Sequence, residues 1–203
     1  MMLSEELYPQ RVFYYFEQIA AIPHGSRNTK AISDYLVNFA KEHNLVWYQD
    51  ENNNVVIVKE ASAGYEAAEP IIIQGHMDMV CEKEKGVDID FEKDGLKLYI
   101  DGDFLKAEGT TLGGDDGIAV AYALALLDSQ EIAHPKLEVV ITVDEEIGML
   151  GADAIDLSML TGHTMLNIDS DVEGSFLTGC AGGMAVNVTL PIKRVMQSGE
   201  KVA

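Results

Sequence analysis

The chain has 203 residues, of which 47% are hydrophobic, so it can form one sizeable core and part of a second. Its formal net charge of −20 argues against nucleic acid as a partner, because a phosphate backbone needs a Lys/Arg surface, and it also disfavours an anionic membrane. The acidity fits either simple solubility or carboxylates around a cation site, and composition alone leaves both interpretations open.

Cysteine content and the N-terminus indicate the compartment. Cys81 and Cys180 are too few for a disulfide scaffold, and neither belongs to a Cys-x-x-Cys pair, which makes a thiolate zinc site unfavourable. The acidic N-terminus lacks the basic start and apolar core of a signal peptide. The longest apolar helical stretch, 118–127, is too short to span a bilayer. We therefore expect a cytoplasmic protein.

The first part of the chain predicts two helices followed by strands. Apolar residues at helical spacing predict helices over 8–22 and 29–42. Short β-branched runs predict strands over 45–48 and 55–58, joined as a hairpin by an Asn-rich turn. The apolar run before His76 predicts a further strand over 70–74.

The second part of the chain alternates between strands and a helix. Its predicted elements are a hairpin, a buried helix and three strands, over 96–107, 113–128, 137–143, 165–168 and 184–190. Strands that alternate with helices indicate an α/β fold. We therefore predict a mixed, mostly parallel sheet with helices on both faces, incomplete at its C-terminal end.

His76 and Asp78 follow the buried strand at a spacing of two residues. This is the strand period, so both side chains can point to the same side. The first polar groups after such a strand usually face a cleft. A carboxylate beside an imidazole can orient the ring and raise its basicity as a metal ligand.

Further carboxylates follow strands or lie in glycine-rich turns. Asp115 and Asp116 lie between glycines, and the residues alone leave open a helix N-cap. The acids 144–146 come directly after a strand, where a cation or a proton would offset their repulsion, or where they start a solvated helix. Asp169 also follows an apolar strand, a position that more often holds a cap or turn residue.

The joint pattern is one His with several carboxylates, each following a strand or a glycine-rich turn. Mixed His and carboxylate ligation suits zinc, manganese or cobalt, and the lack of thiolates favours a catalytic site. Cys180, in the glycine-rich turn 179–183, has no suitably placed His to make it a nucleophile. The residues therefore predict a metal-dependent hydrolase.

Four motifs in series resemble those of one known family. They are His76-Met-Asp78, Leu112-Gly-Gly-Asp-Asp-Gly117, Asp144-Glu-Glu-Ile-Gly148 and Asn167-Ile-Asp169. In this order they resemble the metal motifs of the di-zinc aminoacylase/carboxypeptidase-like exopeptidases. The longer strings over 74–80, 109–115 and 178–183 are similar to the bacterial aminoacyl-histidine dipeptidases, also called Xaa-His or carnosinase-like dipeptidases. The resemblance covers nearly the whole chain.

The resemblance implies a site for two Zn²⁺ ions, for which Mn²⁺ or Co²⁺ can substitute. Asp115 would bridge the two metals. His76 and Asp169 would complete one site, and Glu146 would serve the other. Such a pair of ions lowers the pKa of a water towards neutrality and polarises the scissile carbonyl.

The resemblance also assigns roles to three acids that are not ligands. Glu145 would be the general base that takes a proton from the attacking water and passes it to the leaving amine. Asp78 would contact the His76 ring rather than the metals, and would orient that ring. Asp116 stands where relatives often have Asn, and would be a bystander or a hydrogen-bond partner.

The implied function is hydrolysis of Xaa-His and similar dipeptides, with a small peptide as the partner. A tripeptidase or an N-acyl amino acid deacylase of the same superfamily is the enzymatic alternative. A non-catalytic metal-binding or assembly module is the alternative of another class. The acid pair Glu145-Glu146 argues against it, because a pure binding site needs no spare base.

Two departures from the family concern the C-terminal end. The resemblance assigns 1–183 to part of the catalytic domain and 184–203 to the start of an inserted lid and dimerisation domain, through which a homodimer would form. The family's second zinc takes a His from far downstream, whereas His163 is the last His here. We therefore expect an N-terminal portion of a longer protein, with a lopsided metal site and little or no turnover.

Overall fold

The structure is a computed structural model that describes residues 3–170, 172–179, 182 and 186–193. It forms two compact units, 1–171 and 172–203, and every helix and strand described lies in the first. The helices are α1 (Gln10–Ala20), α2 (Lys30–Glu42), α3 (Gly114–Asp128) and α4 (Leu150–Ala154), after a 3₁₀ turn at Leu3–Glu5. The strands are β1 (Val46–Gln49), β2 (Val55–Lys59), β3 (Ile71–His76), β4 (Leu98–Asp101), β5 (Phe104–Ala107), β6 (Leu137–Thr142) and β7 (Thr164–Asn167).

Five strands form one mixed sheet in the order β1-β2-β6-β3-β7. The strand β3 pairs in parallel with both β6 and β7, whereas β2 is antiparallel to β1 and to β6. Four of the five strands therefore run in one direction, and the predicted α/β class with a mostly parallel sheet is confirmed. The strands β4 and β5 form a separate antiparallel hairpin, as predicted.

The main core lies on one face of the sheet, where α1, α2 and α3 pack. Alternate strand residues such as Ile57, Val139 and Ile141 point into it and are almost completely buried. The helix α3 is apolar on nearly all sides, because it packs against both α1 and β3. The opposite face carries a smaller apolar cluster, against which the residues that follow α4 pack.

The parallel strands bring the ends of β3, β6 and β7 to one edge of the sheet. The register pairs His76 with Thr142 at the end of β3, and Gln74 with Asn167 at the end of β7. The segments that carry the acidic motifs begin at this edge. Gly75 allows α3 to approach it, because a Cβ at this position would lie 2.6 Å from Asp116 Oδ2.

Most predicted elements are confirmed, with small shifts at their ends. The strand β3 extends two residues beyond its predicted end and includes His76. The short helix α4 was not predicted. The strand predicted over 184–190 is wrong for 186–190, which are not in a strand, and residues 184 and 185 lie outside those described. Among the described residues no helix is long and apolar enough to cross a membrane.

Candidate metal centre

His76 occupies the middle of the candidate site. Its side chain is almost completely buried at the end of β3, and Nε2 points at carboxylates from three other segments. Nε2 lies 3.1 Å from Asp115 Oδ1 at the start of α3. It lies 3.9 Å from Glu145 Oε2 and 3.9 Å from Asp169 Oδ2, which follow β6 and β7. One imidazole thus meets carboxylates that are up to 93 positions away in the sequence.

Two groups of these side chains could each hold a metal ion. One comprises His76, Asp115 and Glu146, and the other comprises His76, Glu145 and Asp169, with the ligand atoms of each group within 4.8 Å of one another. All the residues predicted as ligands are therefore brought together. The grouping differs from the one that the resemblance implies, because His76 rather than Asp115 is common to both groups, and Glu145 takes the place of Asp115 beside His76 and Asp169. The adjacent glutamates belong to different groups.

Asp78 contacts the imidazole from the side away from these carboxylates. His76 Nδ1 lies 2.9 Å from the backbone carbonyl of Asp78 and 3.4 Å from its Oδ1. Because a carbonyl oxygen can only accept, Nδ1 carries a proton and donates it there. This leaves Nε2 facing the carboxylates, the orientation that a metal-ligating imidazole needs.

The carboxylate of Asp78 is itself held by two donors. The Ser26 hydroxyl donates to Oδ2 at 2.8 Å, and the Glu145 backbone N–H donates to Oδ1 at 3.1 Å. Burial alone would raise the pKa of Asp78, but the hydrogen bonds from His76, Ser26 and Glu145 lower it below its usual value. Asp78 therefore connects the imidazole with the backbone of the predicted general base.

The electrostatics of the site fit a cation. Burial raises the pKa of Asp116 to about 7, and it also raises the pKa values of Glu145 and Glu146. The negative charges of neighbouring carboxylates raise all three pKa values further. Burial lowers the pKa of His76, but the hydrogen bond with Asp78 and the charge of Asp116 outweigh it and raise that pKa to about 9. Carboxylates that repel one another around one imidazole form a donor set that a divalent cation would stabilise.

The backbone at the start of α3 differs from that of a simple helix N-cap. Asp115 and Asp116 both have non-helical backbone angles. Asp116 Oδ2 accepts a hydrogen bond from the backbone N–H of His76 at 3.2 Å, which ties the start of α3 to the end of β3. Of the two roles predicted for Asp116, that of a hydrogen-bond partner is the one observed.

The loop that carries Glu145 and Glu146 is held by a residue that sequence reasoning placed only in a turn. Asn54 is completely buried, its Oδ1 accepts from Val143 N–H at 3.0 Å, and its Nδ2 donates to the Gly151 carbonyl at 3.1 Å. The side-chain amide of Asn54 therefore bonds to both ends of the loop, at Val143 and at Gly151. Its position at the end of an Asn-rich turn carried no sign of this role.

Other histidines in the described part of the chain belong to neither ligand group. His24 is buried, and its Nδ1 donates to the Ile22 carbonyl at 2.6 Å. His134 lies in a loop and is also buried. Cys180 lies outside the described residues.

An α/β sheet whose parallel strand ends converge on one His and several carboxylates is compatible with a metallopeptidase. The family model described as Peptidase family M20/M25/M40 matches residues 72–185. The chain belongs to this family. The matched range includes every residue predicted here as a metal ligand or catalytic acid.

Two individual relatives to which the chain is similar are dipeptidases by name. The chain is 40% identical over 189 residues to the cytosol non-specific dipeptidase of Escherichia coli, which covers 93% of this chain and 39% of that protein. The crystal structure of an aminoacylhistidine dipeptidase from Vibrio alginolyticus matches with a TM-score of 0.82 and 41% identity, over 84% of this chain and 35% of that one. The resemblance to aminoacyl-histidine dipeptidases is therefore confirmed. The chain spans less than half the length of these relatives.

A more distant match supports the fold alone. A tripeptidase from Staphylococcus aureus matches with a TM-score of 0.67 at 24% identity, over 80% of this chain and 44% of that one.

Proposed function

We propose that this chain forms the metal-binding part of a dipeptidase that hydrolyses Xaa-His and similar dipeptides. The observation that carries the proposal is that the side chains of His76, Asp115, Glu145, Glu146 and Asp169 lie close together. They form two groups whose ligand atoms are near enough to hold a metal ion. The family membership and the two dipeptidase relatives, at about 40% identity, favour peptides as the substrate class. The name of the E. coli relative also supports a cytosolic location.

The donor set fits two zinc ions. It contains one imidazole and several carboxylates, no thiolate, and its pKa shifts favour a compensating positive charge. His76, Asp115, Glu146 and Asp169 would hold the metals, with Asp115 shared as the family resemblance implies, and Mn²⁺ or Co²⁺ could take the same oxygen and nitrogen ligands. When bound, the ions would supply a Lewis acid that activates water and polarises the scissile carbonyl.

The chain's own groups would then do the proton transfer. Glu145 Oε2 faces the ligands, and its backbone N–H is fixed on Asp78, so its carboxylate is placed to take a proton from the attacking water. The same carboxylate would return that proton to the leaving amine. The surrounding carboxylates would bind the free α-amino group of the substrate by charge. The homodimer implied by the family resemblance stays a prediction.

The test compares the chain with Glu145→Gln in the presence of zinc. We expect slow release of histidine from Ala-His and none from N-acetylated amino acids or tripeptides. The Gln variant should bind zinc as before and lose about 10²–10⁴-fold in rate, because it lacks the general base. Equal rates for the two proteins would contradict the mechanism. Cleavage of only the tripeptide or the N-acyl substrate would contradict the substrate class.

A further inference from the structure

A cavity of ≈ 280 Å³ lies beside the metal centre. Residues 25, 26 and 28 and the segments 79–82 and 91–92 form its walls, and Glu146 lies where it meets the candidate ligands. We call it the Cys81 cavity. Pockets that bury a whole drug-sized ligand measure about 300–1,000 Å³, so this cavity suits one part of a ligand, such as a single side chain.

The walls of the Cys81 cavity are held by backbone contacts. Met79 N–H donates to the His24 carbonyl at 3.2 Å, which fixes the two walls against each other. A Cβ on Gly25 would lie 2.6 Å from Cys81 Sγ, so the glycine lets these walls meet closely. The Asn28 amide donates to the carbonyl of Glu92 at 3.3 Å and holds the third wall. The cavity is therefore already shaped before a ligand arrives.

The lining of the cavity combines apolar surface with negative charge. Met79 and Phe91 supply apolar surface, and Glu82, Glu92 and Glu146 supply carboxylates, while none of the described residues that line the cavity is Lys, Arg or His. Burial raises the pKa of the Cys81 thiol, and the charges of Glu92 and Glu82 raise it further. Both carboxylates therefore act on the interior of the cavity, where their field favours a cation.

We propose that the Cys81 cavity is the subsite for the side chain of the substrate's N-terminal residue, and that it favours a basic side chain such as lysine or arginine. The proposal rests on the function proposed above. Glu82 and Glu92 at this cavity repel the C-terminal carboxylate of a dipeptide, so the residue at the amino end is the one that the cavity accepts. A basic side chain can lay its methylenes on the apolar wall and place its charge near Glu82 and Glu92.

The kinetic test uses two dipeptides that differ in one charge. Lys-Ala and norleucyl-Ala have side chains of nearly the same length, and only lysine carries the ammonium. We expect kcat/KM of the zinc-loaded chain to be about three- to tenfold higher for Lys-Ala, because exposed carboxylates each contribute modestly. In the double variant Glu82→Gln/Glu92→Gln this ratio should fall towards one. Glu84→Gln removes the same charge from the same segment outside the cavity and should leave the ratio unchanged.

A binding test separates this proposal from the proposed function. Lysinamide is titrated into the metal-free chain, norleucinamide serves as the uncharged control, and backbone amide shifts are followed by NMR. Shifts in 25–28, 79–82 and 91–92 with lysinamide alone support the subsite, even if no dipeptide is hydrolysed. No shifts with either amide, together with equal kcat/KM for the two dipeptides, would overturn the subsite while leaving the hydrolase intact.

Discussion

At the scale of single residues, Asp78 connects the parts of the candidate metal centre. Its backbone carbonyl accepts from His76 Nδ1, and its carboxylate accepts from Ser26 and from the backbone of Glu145. The spacing of two residues predicted that Asp78 lies beside His76. The contacts with Ser26 and Glu145 join residues 52 and 67 positions apart, and no local pattern predicts such pairs.

We predict that Asp78→Asn lowers zinc affinity by up to about 10–100-fold, the range that is typical when a group supporting a metal-ligating imidazole is changed, because it removes the carboxylate charge 3.4 Å from His76 Nδ1 while the backbone carbonyl stays in place. Ser26→Ala should have a smaller effect in the same direction, because it removes one hydrogen bond and no charge. Competition with a chromophoric chelator measures both affinities. Circular dichroism of each variant checks that the fold is kept. Zinc affinity unchanged in Asp78→Asn would mean that the Asp78 carboxylate adds nothing to the backbone carbonyl in supporting His76.

At the scale of elements, the loop between β6 and α4 brings Glu145 and Glu146 into the site. Gly151 N–H donates to the Val143 carbonyl at 3.0 Å, which closes the loop, and Asn54 at the start of β2 bonds to the same two residues. The orientation of the two glutamates therefore depends on a hairpin that is far from them in the sequence.

Asn54→Ala should destabilise the fold by about 1–3 kcal/mol, because it leaves the buried Val143 N–H and Gly151 carbonyl without a side-chain partner. Zinc affinity should fall as well, since the loop loses its fixed ends. Urea denaturation measures the first effect. Asn52→Ala is the matched control in the same turn, where the side chain is exposed, and should change neither. Equal stability of the two variants would contradict the role of Asn54.

The elements that the sequence predicted well are those with strong periodicity. The helix α2 has apolar residues at clear helical spacing, and β2 in the hairpin is a continuous apolar, β-branched run. The helix α4 has five residues and too short a pattern to detect. Residues 186–190 alternate Val, Asn, Val, Thr and Leu as a strand would, yet they are not in a strand, because a strand also needs a pairing partner.

At the scale of the whole molecule, the strand ends that form the site are held in place by buried polar contacts as well as by the core. Glu138 on β6 is completely buried, and its carboxylate accepts from Thr161 Oγ1 at 2.6 Å and from Gly162 N–H at 2.9 Å. Lys136 Nζ lies 2.8 Å away. These contacts hold the segment that enters β7, the strand that leads to Asp169.

Glu138 should make stability depend on pH in the acid range. Burial raises its pKa, but Lys136 and the hydrogen bonds from Thr161 and Gly162 outweigh this and lower the pKa to about 2 from 4.5. Because the folded pKa is the lower one, the stabilisation is present above pH 4.5 and is lost as the pH falls towards 2. A shift of this size corresponds to roughly 3 kcal/mol.

The check is the free energy of unfolding, measured in urea at several pH values between about 2 and 6, for the chain and for Glu138→Gln. The Gln variant lacks the titrating group, so its stability should change less across this range. Parallel curves for the two proteins would show that Glu138 does not contribute to the acid sensitivity.

The most direct test of the account is the zinc stoichiometry of the chain by native mass spectrometry, with Asp115→Ala as the control. Asp115 is the residue proposed to be shared by both metals, and its side chain is 63% exposed, so the substitution should leave the fold intact. We predict one or two zinc ions per chain and their loss in the variant. Failure to bind zinc, or the same zinc occupancy in the variant, would contradict the metal centre.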